Sequence, residues 1–491
     1  MNTSIVRRVL GWLLALEGAF MMLPFAVGLI YREDTAWYFL GVGLLAVVLG
    51  LALSYKKAMS SVFYMREGCV ATALGWIELS FFGCLPFYLS GEIPNFTDAM
   101  FETVSGFTTT GASILSDVEK LSHCMLFWRS FTHWLGGMGV LVFLLAVVQL
   151  PGGSHMNLMK AESPGPSVGK FRPKVRQTAR ILYIIYFVMT VAEVILLLCG
   201  GMPLFDALTT SFGTAGTGGF GIKNDSIAGY SPYLQWVVTV FMVLFGVNFS
   251  FYYLLLLRRL KDALSLEEVR TYFIIILTAI AILMWDLRSG GLSFLDTLRQ
   301  AAFQVASIIT TTGFATTDFN SWPQTSRTVL VILMFVGACA GSTGGGIKVS
   351  RIIVMFRTMI KELGSYIHPK SIRKIEMDGK VIEHEVLRGI NVFFVTYMLI
   401  FAMSVLAVSI DGLDMVTNFT AIAATFNNIG PGLELVGPSG NFSVFSPLSK
   451  WVLMFDMLAG RLEVFPMLLL FYPPCWKNLL RHRAAVARST R

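Results

Sequence analysis

Charged side chains are scarce in this 491-residue sequence: Asp, Glu, Lys and Arg make up 14% of it, against roughly 25% in ordinary soluble domains. Hydrophobic residues account for 55%. Apolar runs of about twenty residues, long enough to cross the hydrocarbon core of a bilayer as helices, recur along the whole length. This composition excludes a soluble globular protein and predicts an all-α, polytopic membrane protein.

Paired cysteines and clustered histidines are also lacking. The cysteines form no CxxC pair and no metal-ligand spacing, which favours a role as small packing residues; they are Cys69, Cys84, Cys124, Cys199, Cys339 and Cys475. The six histidines are scattered. A membrane-embedded enzyme would need a nucleophile–base pair or a metal constellation, so we expect no enzymatic activity.

One glycine-rich stretch, GSTGGGIK at 341–348, superficially resembles a phosphate-binding loop. That motif requires a lysine directly after the last glycine, followed by Ser or Thr. Here Ile347 separates Gly346 from Lys348, and Val349 comes next. The stretch also interrupts an apolar run instead of joining a strand to a helix. We therefore expect this chain to bind no nucleotide.

The net formal charge of +8 is carried mainly by residues between the apolar runs. Of the 38 lysines and arginines, 29 fall in six stretches, at 1–8, 55–68, 150–182, 257–271, 346–390 and 475–491. Each stretch follows an even number of predicted membrane crossings. This is the positive-inside pattern, which predicts that both termini are cytoplasmic. We attribute the charge to membrane topology and expect no nucleic-acid partner.

Ten apolar segments are predicted to span the membrane as helices. They lie at 8–30, 36–54, 68–90, 122–149, 178–200, 229–257, 268–288, 323–358, 386–410 and 445–472. After the first two, they come in four pairs, each joined by a segment too apolar for a loop and too short to cross and return. Because irregular backbone at membrane depth must be buried by protein or line water, we expect these segments to be re-entrant.

This pattern predicts four helix–loop–helix repeats after an N-terminal helix pair. The expected divisions are the pair at 1–60, repeats at 61–150, 170–258, 265–360 and 385–475, a cytoplasmic hairpin at 361–384 and a cytoplasmic tail at 476–491. The second helix of the third repeat is expected to be broken by its glycines.

The four connecting segments end in similar Gly/Thr-rich tails: FETVSGFTTTGAS, TTSFGTAGTGGFG, FQVASIITTTGFA and AIAATFNNIGPG. Aligning them places four glycines at one position: Gly111, Gly219, Gly313 and Gly430. In the second tail Gly216 is an alternative to Gly219. We favour Gly219, because a phenylalanine follows it, as in the third tail.

Four such tails can coordinate a cation. Helix–loop–helix units around one axis point the partially negative ends of their short helices toward a central cavity. Glycine takes positive φ cheaply, which lets neighbouring carbonyls face the axis, and a ring of carbonyls can replace a cation's hydration shell. The tails carry no carboxylate beside the aligned glycines, which suits a large monovalent ion better than Ca²⁺ or Mg²⁺. The alternative is that the glycines serve close helix packing.

The sequence resembles the Trk/Ktr/HKT superfamily of potassium transporters in the motifs TVSGFTTTGAS, HWLGGMGV, SIITTTGFATTDF, GSTGGGIK, NNIGPG and GRLE. The resemblance covers nearly the whole chain, and the extra N-terminal helix pair is typical of the bacterial Trk type. It implies four pseudo-repeated units around one pore, with a filter glycine in every repeat, an arrangement that goes with K⁺ preference. The motif TAGTGGF of the second repeat is the weakest match.

The resemblance also implies which residues form the K⁺ filter and the gate beneath it. The implied filter residues are Thr109, Thr110, Gly111, Ala112, Thr217, Gly218, Gly219, Phe220, Thr311, Thr312, Gly313, Phe314, Asn428, Ile429, Gly430 and Pro431. The implied gate residues are Gly341, Ser342, Thr343, Gly344, Gly345, Gly346, Lys348 and Arg461. In the resembled family the loop obstructs the pore and must move for conduction.

Some of these residues have structural alternatives. The glycine-rich loop could be a simple helix kink, although a kink needs only one or two glycines. Arg461 lies within an apolar run, where a charge costs at least about 2.5 kcal/mol. It should therefore face the pore or pair with Asp456 or Glu463. Lys348 and Arg351 could be ordinary anchoring charges at a wet inner mouth.

Other polar features have local interpretations. Five acids on or near the short helices are expected to cap them or to match their dipoles, with cation attraction at the outer mouth as the alternative; they are Asp98, Glu102, Asp206, Asp296 and Asp414. His133 and Trp134 are expected to pack together. The segment 368–385 alternates around Asp378 and Gly379, which indicates a hairpin, either a docking surface or a solvated turn.

The sequence thus predicts K⁺ uptake across a bacterial inner membrane, with K⁺ as the transported ion. The resemblance further implies a homodimer in membrane lipid and a TrkA-like peripheral subunit that binds nucleotides. A symporter coupling K⁺ to H⁺ or Na⁺ is the alternative. Buried carboxylates in the pore would favour it, and few candidates are visible in the sequence.

Overall fold

The computed structural model describes residues 2–55, 64–139, 175–288, 290–369 and 374–476. The expected tail at 476–491, except for residue 476, and most of the basic segment at 150–182 lie outside these residues. The described chain is almost entirely helical; its strands, Glu376–Met377 and Lys380–Val381, form one small antiparallel hairpin. The predicted fold class, an all-α chain with many apolar helices, is confirmed.

An N-terminal pair precedes four units of similar construction. The pair comprises Thr3–Phe20 with Met22–Tyr31, and then Ala36–Tyr55. Its two arms approach closely at glycines: a Cβ on Gly11 would lie 2.6 Å from the carbonyl oxygen of Gly50. This small-residue contact is how helices pack tightly in a membrane.

Each of the four units contains a first helix, a short helix and a return helix. The first helices are Met65–Ser90, Val175–Cys199, Glu267–Leu287 and His384–Val408. The short helices are Phe96–Phe107, Leu204–Gly216, Phe294–Ile309 and Met415–Phe426. The return helices are His123–Gly137, Pro232–Phe245 with Phe249–Leu256, Gln324–Val336 with Val349–Ile367, and Pro447–Arg461 with Phe465–Phe471. Leu260–Ser265 connects the second unit to the third.

Side-chain caps begin three of the four short helices. Asn95 Oδ1 accepts from the N–H of Thr97 at 2.8 Å, and Asp414 Oδ1 accepts from the N–H of Thr417 at 2.9 Å. Ser293 caps the third short helix in the same way. Each cap satisfies an amide that the helix start leaves unpaired, and so fixes where the helix begins.

The return helices are broken more widely than the sequence predicts. The prediction places a break only in the third repeat, yet the second return helix bends by 90° between Phe245 and Phe249. The fourth breaks where Glu463 and Val464 adopt positive φ. The predicted spanning helices at 229–257 and 445–472 are therefore each broken into two helices. Both breaks are made by backbone turns that the overall hydropathy of these runs does not reveal.

Six described helices are long and apolar enough to cross a membrane, or seven if the bent pair counts as one span, judged by length and composition. The prediction of ten counted the broken return helices as continuous. The first return helix is described only as far as residue 139, so its predicted end at 149 lies outside the described residues.

The four units are arranged in cyclic order. The second, third and fourth short helices each pack on the return helix of the preceding unit, and the first packs on the return helix of the fourth. This circuit brings the ends of all four short helices together, and so creates one candidate site at their common centre.

Candidate ion-conduction site

All four short helices end in the same backbone turn. A residue with φ between 54° and 58° donates its N–H to the carbonyl three residues earlier, at 3.0–3.2 Å. The next residue donates to the carbonyl five residues earlier, at 2.8–2.9 Å. This is the Schellman motif, which satisfies carbonyls at a helix end. We name three successive positions: turn residues (Thr109, Thr217, Thr311, Asn428), ring residues (Thr110, Gly218, Thr312, Ile429) and tail glycines (Gly111, Gly219, Gly313, Gly430).

The tail glycines and the ring residues form a closed circuit. A Cβ built on Gly111 would lie 1.9 Å from the carbonyl oxygen of Gly218, and one built on Gly219 would lie 2.0 Å from that of Thr312. A Cβ built on Gly313 would lie 2.0 Å from the carbonyl oxygen of Ile429, and one built on Gly430 would lie 2.9 Å from that of Thr110. Each tail glycine therefore abuts the ring carbonyl of the next repeat, and the fourth abuts that of the first. All four glycines have positive φ. No residue with a Cβ fits any of these positions without displacing backbone.

The structure also decides the register of the second tail. Gly219 stands in the circuit, whereas Gly216 is the last residue of the short helix Leu204–Gly216. Ala112, Phe220, Phe314 and Pro431, the remaining residues of the implied filter, each follow a tail glycine directly. The implied filter residues of each repeat are thus the turn residue, the ring residue, the tail glycine and the residue after it.

Three of the turn residues are threonines in a conformation that suits glycine. A β-branched residue with positive φ is a backbone outlier, and such strain costs about 1–3 kcal/mol and clusters at functional sites. One hydroxyl has a visible use: Thr311 Oγ1 accepts from the N–H of Gly345 at 2.6 Å. At the fourth turn, Asn428 Nδ2 donates to Thr110 Oγ1 at 2.9 Å and joins the fourth repeat to the first.

The glycine loop, residues 337–348, lies directly against this circuit. It separates Gln324–Val336 from Val349–Ile367. Besides the bond to Thr311, a Cβ on Gly345 would lie 2.4 Å from the carbonyl oxygen of Asn427, the neighbour of a turn residue. A Cβ on Gly344 would lie 2.9 Å from Thr310 O. The loop is thus more than a kink: its backbone packs under the third and fourth turns.

Arg461 fastens the glycine loop to the first repeat. Its Nη1 donates to Thr343 O at 2.9 Å, and its Nη2 donates to Gly137 O at 2.7 Å and also to Gly136 O. Carbonyls of the loop and of the first return helix therefore share one guanidinium. This geometry agrees with the expectation that Arg461 holds the loop through carbonyls.

The charges flanking the loop are paired inside the protein. Lys348 Nζ donates to Gly344 O, and Arg351 forms an ion pair with Glu463. Arg351 is 6% exposed and its guanidinium lies 4.2 Å from the centre of the Phe393 ring. The expectation that Arg351 is an anchoring charge near water is therefore wrong. The pair instead connects the second half of the third return helix, Val349–Ile367, to the break in the fourth return helix at Glu463.

A buried carboxylate holds the loop from the other side. Glu268 Oε1 accepts from the N–H of Ala340 at 2.6 Å and from the N–H of Ser350 at 3.1 Å. It therefore bridges the loop and the first turn of Val349–Ile367, where backbone amides favour negative charge. Nothing in the sequence pattern indicated this role, because Glu268 is 72 residues from Ala340 along the chain.

The chain matches the family described as TrkH, cation transport protein, over residues 38–477. It belongs to this family. A Trk system potassium uptake protein TrkH from Salmonella typhimurium is 38% identical over 97% of this chain and 100% of that protein. The TrkH of Escherichia coli K12 is 37% identical over the same shares. A crystal structure of the potassium transporter TrkH from Vibrio parahaemolyticus superposes with a TM-score of 0.87 at 32% identity, covering 97% of this chain and 100% of that one.

Within this TrkH-family chain, the five acids near the short helices have different roles. Asp414 caps its helix as predicted, and Asp296 accepts from the capping Ser293. Asp98 pairs with Lys450 at 2.6 Å, and Asp206 accepts from the Tyr230 hydroxyl at 2.7 Å. The capping interpretation is wrong for Glu102, which lies in the middle of Phe96–Phe107 and pairs with Arg129.

The loops that follow the first two tails are joined by exposed polar side chains. Asn224 Nδ2 donates to Asp117 Oδ1 at 2.9 Å, and this hydrogen bond lowers the pKa of Asp117, assisted by Lys120. An aspartate of ordinary pKa is already ionised at neutral pH, and the lowered pKa keeps Asp117 ionised at more acidic pH as well. It contributes negative charge on the face of the molecule where these loops lie.

Proposed function

We propose that this chain takes up K⁺ through the circuit of ring carbonyls, across a bacterial inner membrane. Its relatives in Salmonella typhimurium and Escherichia coli are named potassium uptake proteins. The circuit supplies neutral main-chain oxygens, which can replace the hydration shell of a monovalent cation. The described residues include no group of three or more His, Cys, Asp or Glu that could hold a metal.

One observation carries this proposal: each of the four tail glycines abuts a ring carbonyl of the neighbouring repeat. Helix packing alone requires small residues but not a circuit that returns to its starting point. Four Schellman turns in the same register make it possible. A side chain at any tail glycine would move a carbonyl, and so change how the site discriminates between ions.

The proposal is tested by Gly111→Ser in a bacterium that lacks its own K⁺ uptake systems. We expect the parent chain to restore growth at low K⁺. The variant should weaken the preference for K⁺ over Na⁺ because its Cβ collides with the carbonyl of Gly218. The measurement is Rb⁺ tracer uptake competed by K⁺ or by Na⁺.

Gly91→Ser is the matched control. Gly91 has the same φ of 78° as Gly111, but a Cβ there meets no atom within 4 Å. It therefore introduces the same backbone strain away from the circuit, and its ion preference should equal that of the parent chain. If Gly111→Ser keeps the parent's preference for K⁺ over Na⁺, the proposal that this circuit is the selectivity filter is wrong.

We further propose that the glycine loop and Arg461 form the gate. The loop packs against the turns and is held by specific contacts: the Thr311 hydroxyl, the Arg461 guanidinium and the Glu268 carboxylate, together with backbone hydrogen bonds to the break in the second return helix. Glycine-rich backbone has little steric resistance to movement. Release of these contacts would let the loop withdraw from beneath the circuit, and ions could then pass.

Control of the gate is proposed to come from a partner. The stretch 341–348 departs from a nucleotide-binding loop at Ile347 and Val349, so nucleotide sensing would reside on a TrkA-like cytoplasmic subunit bound to a homodimer of this chain. Uptake should rise when such a subunit is co-expressed. If K⁺ uptake is equal with and without this subunit, the proposal that a partner controls the gate is wrong.

Coupled transport remains the second candidate because of buried acids such as Glu17 and Glu193. Glu17 is 1% exposed, and neither carboxylate oxygen has a hydrogen-bond partner among the described residues. Ionisable groups inside a membrane protein are costly and often serve ion movement. A reversal potential that follows the K⁺ gradient alone, unaffected by a pH gradient, would rule out proton coupling.

A further inference from the structure

We propose that Arg129 and His133 are positioning residues that fix the second tail against the first repeat and so set ion selectivity at this junction. This inference rests on the proposed function and deepens it. The two side chains lie one helical turn apart on the return helix His123–Gly137, so they project from the same face. Each contacts both repeats.

Arg129 forms the outer contact of this pair. Its Nε donates to Glu102 Oε1 at 2.5 Å, and its Nη1 donates to the carbonyl of Gly221 at 2.7 Å. Its guanidinium also lies 3.6 Å from the centre of the Phe220 ring. Glu102 in turn accepts from the N–H of Ile114 at 3.0 Å. One buried ion pair thus connects the chain segments just after both tail glycines.

His133 forms the inner contact. Its Nδ1 lies 2.7 Å from Gly106 O, and its Nε2 accepts from the N–H of Phe220 at 3.2 Å. Since a carbonyl can only accept, Nδ1 carries the proton and the imidazole is neutral in this arrangement. The ring also fills the space beside Gly218, where a Cβ would lie 2.3 Å from Nδ1. His133 therefore supports the ring residue whose carbonyl abuts Gly111.

The other three repeats lack the acid of this arrangement. The residues that occupy the place of Glu102, at the same distance before their tail glycines, are Thr210, Gln304 and Ala421. The ion pair between Arg129 and Glu102 and the imidazole of His133 thus stabilise the junction of the first two repeats. A buried, hydrogen-bonded charge pair is rigid because breaking it exposes an unpaired charge. Rigid carbonyl positions cannot close around the smaller Na⁺ ion.

The primary test is His133→Phe, which keeps an aromatic ring but removes both hydrogen bonds. We expect the preference for K⁺ over Na⁺ to fall by about three- to tenfold, the effect of losing about one net hydrogen bond to the tail. The second variant, Arg129→Lys, keeps the charge beside Glu102 but cannot reproduce the forked contact to Gly221. It should lower the preference in the same direction.

Lys450→Gln is the control, since Lys450 is also a buried cation paired with a short-helix acid, Asp98, yet has no hydrogen bond to a tail. Its loss should reduce the amount of folded protein without changing ion preference. The measured quantity is the ratio of K⁺ to Na⁺ inhibition of Rb⁺ uptake, which does not depend on how much protein folds.

Two negative results are distinguishable. If Gly111→Ser changes the ratio but His133→Phe and Arg129→Lys do not, the positioning role is wrong and the filter stands. If the parent chain takes up no K⁺, the proposed function itself is wrong. A ratio lowered equally by Lys450→Gln would reduce Arg129 and His133 to ordinary structural residues.

Discussion

At the scale of single residues, one guanidinium joins parts of the chain that are far apart in sequence. Arg461 donates to carbonyls of Thr343 and Gly137, and so ties the glycine loop to the first return helix. A fixed positive charge beneath a ring of carbonyls also lowers the local concentration of cations. In the proposed gate, two separate effects, tethering of the loop and repulsion of cations, would therefore act against conduction at this residue.

Arg461→Ala is expected to raise the rate of K⁺ uptake because it removes both effects. Arg461→Lys separates them, since an ammonium keeps the charge but cannot bridge the same three carbonyls. We expect the lysine variant to lie between the parent and the alanine variant in initial Rb⁺ uptake per protein. Uptake in Arg461→Ala at or below the parent rate would contradict the gate.

The residues of the circuit could be predicted from the sequence, whereas those that support it could not. Glycine at an aligned place in four repeats implies a backbone requirement, and alignment of the four tails within the sequence is enough to reveal it. The pairing of Glu102 with Arg129, or of Glu268 with Ala340, depends on which helices come together in space. An acid on a short apolar helix has the same local pattern whether it caps the helix or pairs across it.

At the scale of elements, the breaks in the return helices place irregular backbone at the centre of the molecule, where buried side chains hold it. The break in the third repeat is held by Glu268, which accepts from the N–H groups of Ala340 and Ser350. Neighbouring Glu267 pairs with Arg357, and its N–H donates to Asp378 Oδ1 of the hairpin at 2.8 Å. Adjacent residues of one helix thus contact the loop and the hairpin.

Glu268→Ala should loosen the glycine loop. It leaves two buried amides without their acceptor, a loss of about 2 kcal/mol or more. We expect a lower melting temperature in detergent and faster hydrogen exchange across residues 337–350. Glu267→Ala, in which a partly exposed pair worth about 1 kcal/mol or less is lost, is the control and should leave exchange in the loop unchanged.

The breaks also show why element boundaries were harder to predict than elements. The third break is visible in sequence because five glycines interrupt an apolar run. The second and fourth contain one glycine or none between their halves, at Gly246 and at 462–464. Hydropathy indicates only that a segment is buried in lipid or protein. A straight helix and a bent helix can have the same hydropathy, so it does not show where a helix breaks.

At the scale of the whole molecule, the distribution of basic residues predicts an orientation that single-residue labelling can test. Cys199 is exposed at the end of Val175–Cys199, whereas the other five cysteines are buried. The positive-inside pattern predicts that residue 199 lies on the outer face of the membrane and that the segment around Ser265 lies on the cytoplasmic face.

A membrane-impermeant maleimide should therefore label the parent protein at Cys199 in intact cells. Cys199→Ser should abolish this labelling. In the Cys199→Ser background, Ser265→Cys should react only after the cells are permeabilised, since residue 265 is also exposed on the protein surface. Labelling of Ser265→Cys in intact cells would reverse the proposed orientation.

The circuit of glycines and carbonyls is built from one continuous polypeptide. In an assembly of four identical subunits, a single codon change would alter every position around the axis at once. Here the four ring positions already hold three kinds of residue: threonine at Thr110 and Thr312, glycine at Gly218 and isoleucine at Ile429. A mutation can therefore change one of the four ring positions and leave the other three as they are. Natural selection or a protein engineer can adjust ion permeation one repeat at a time.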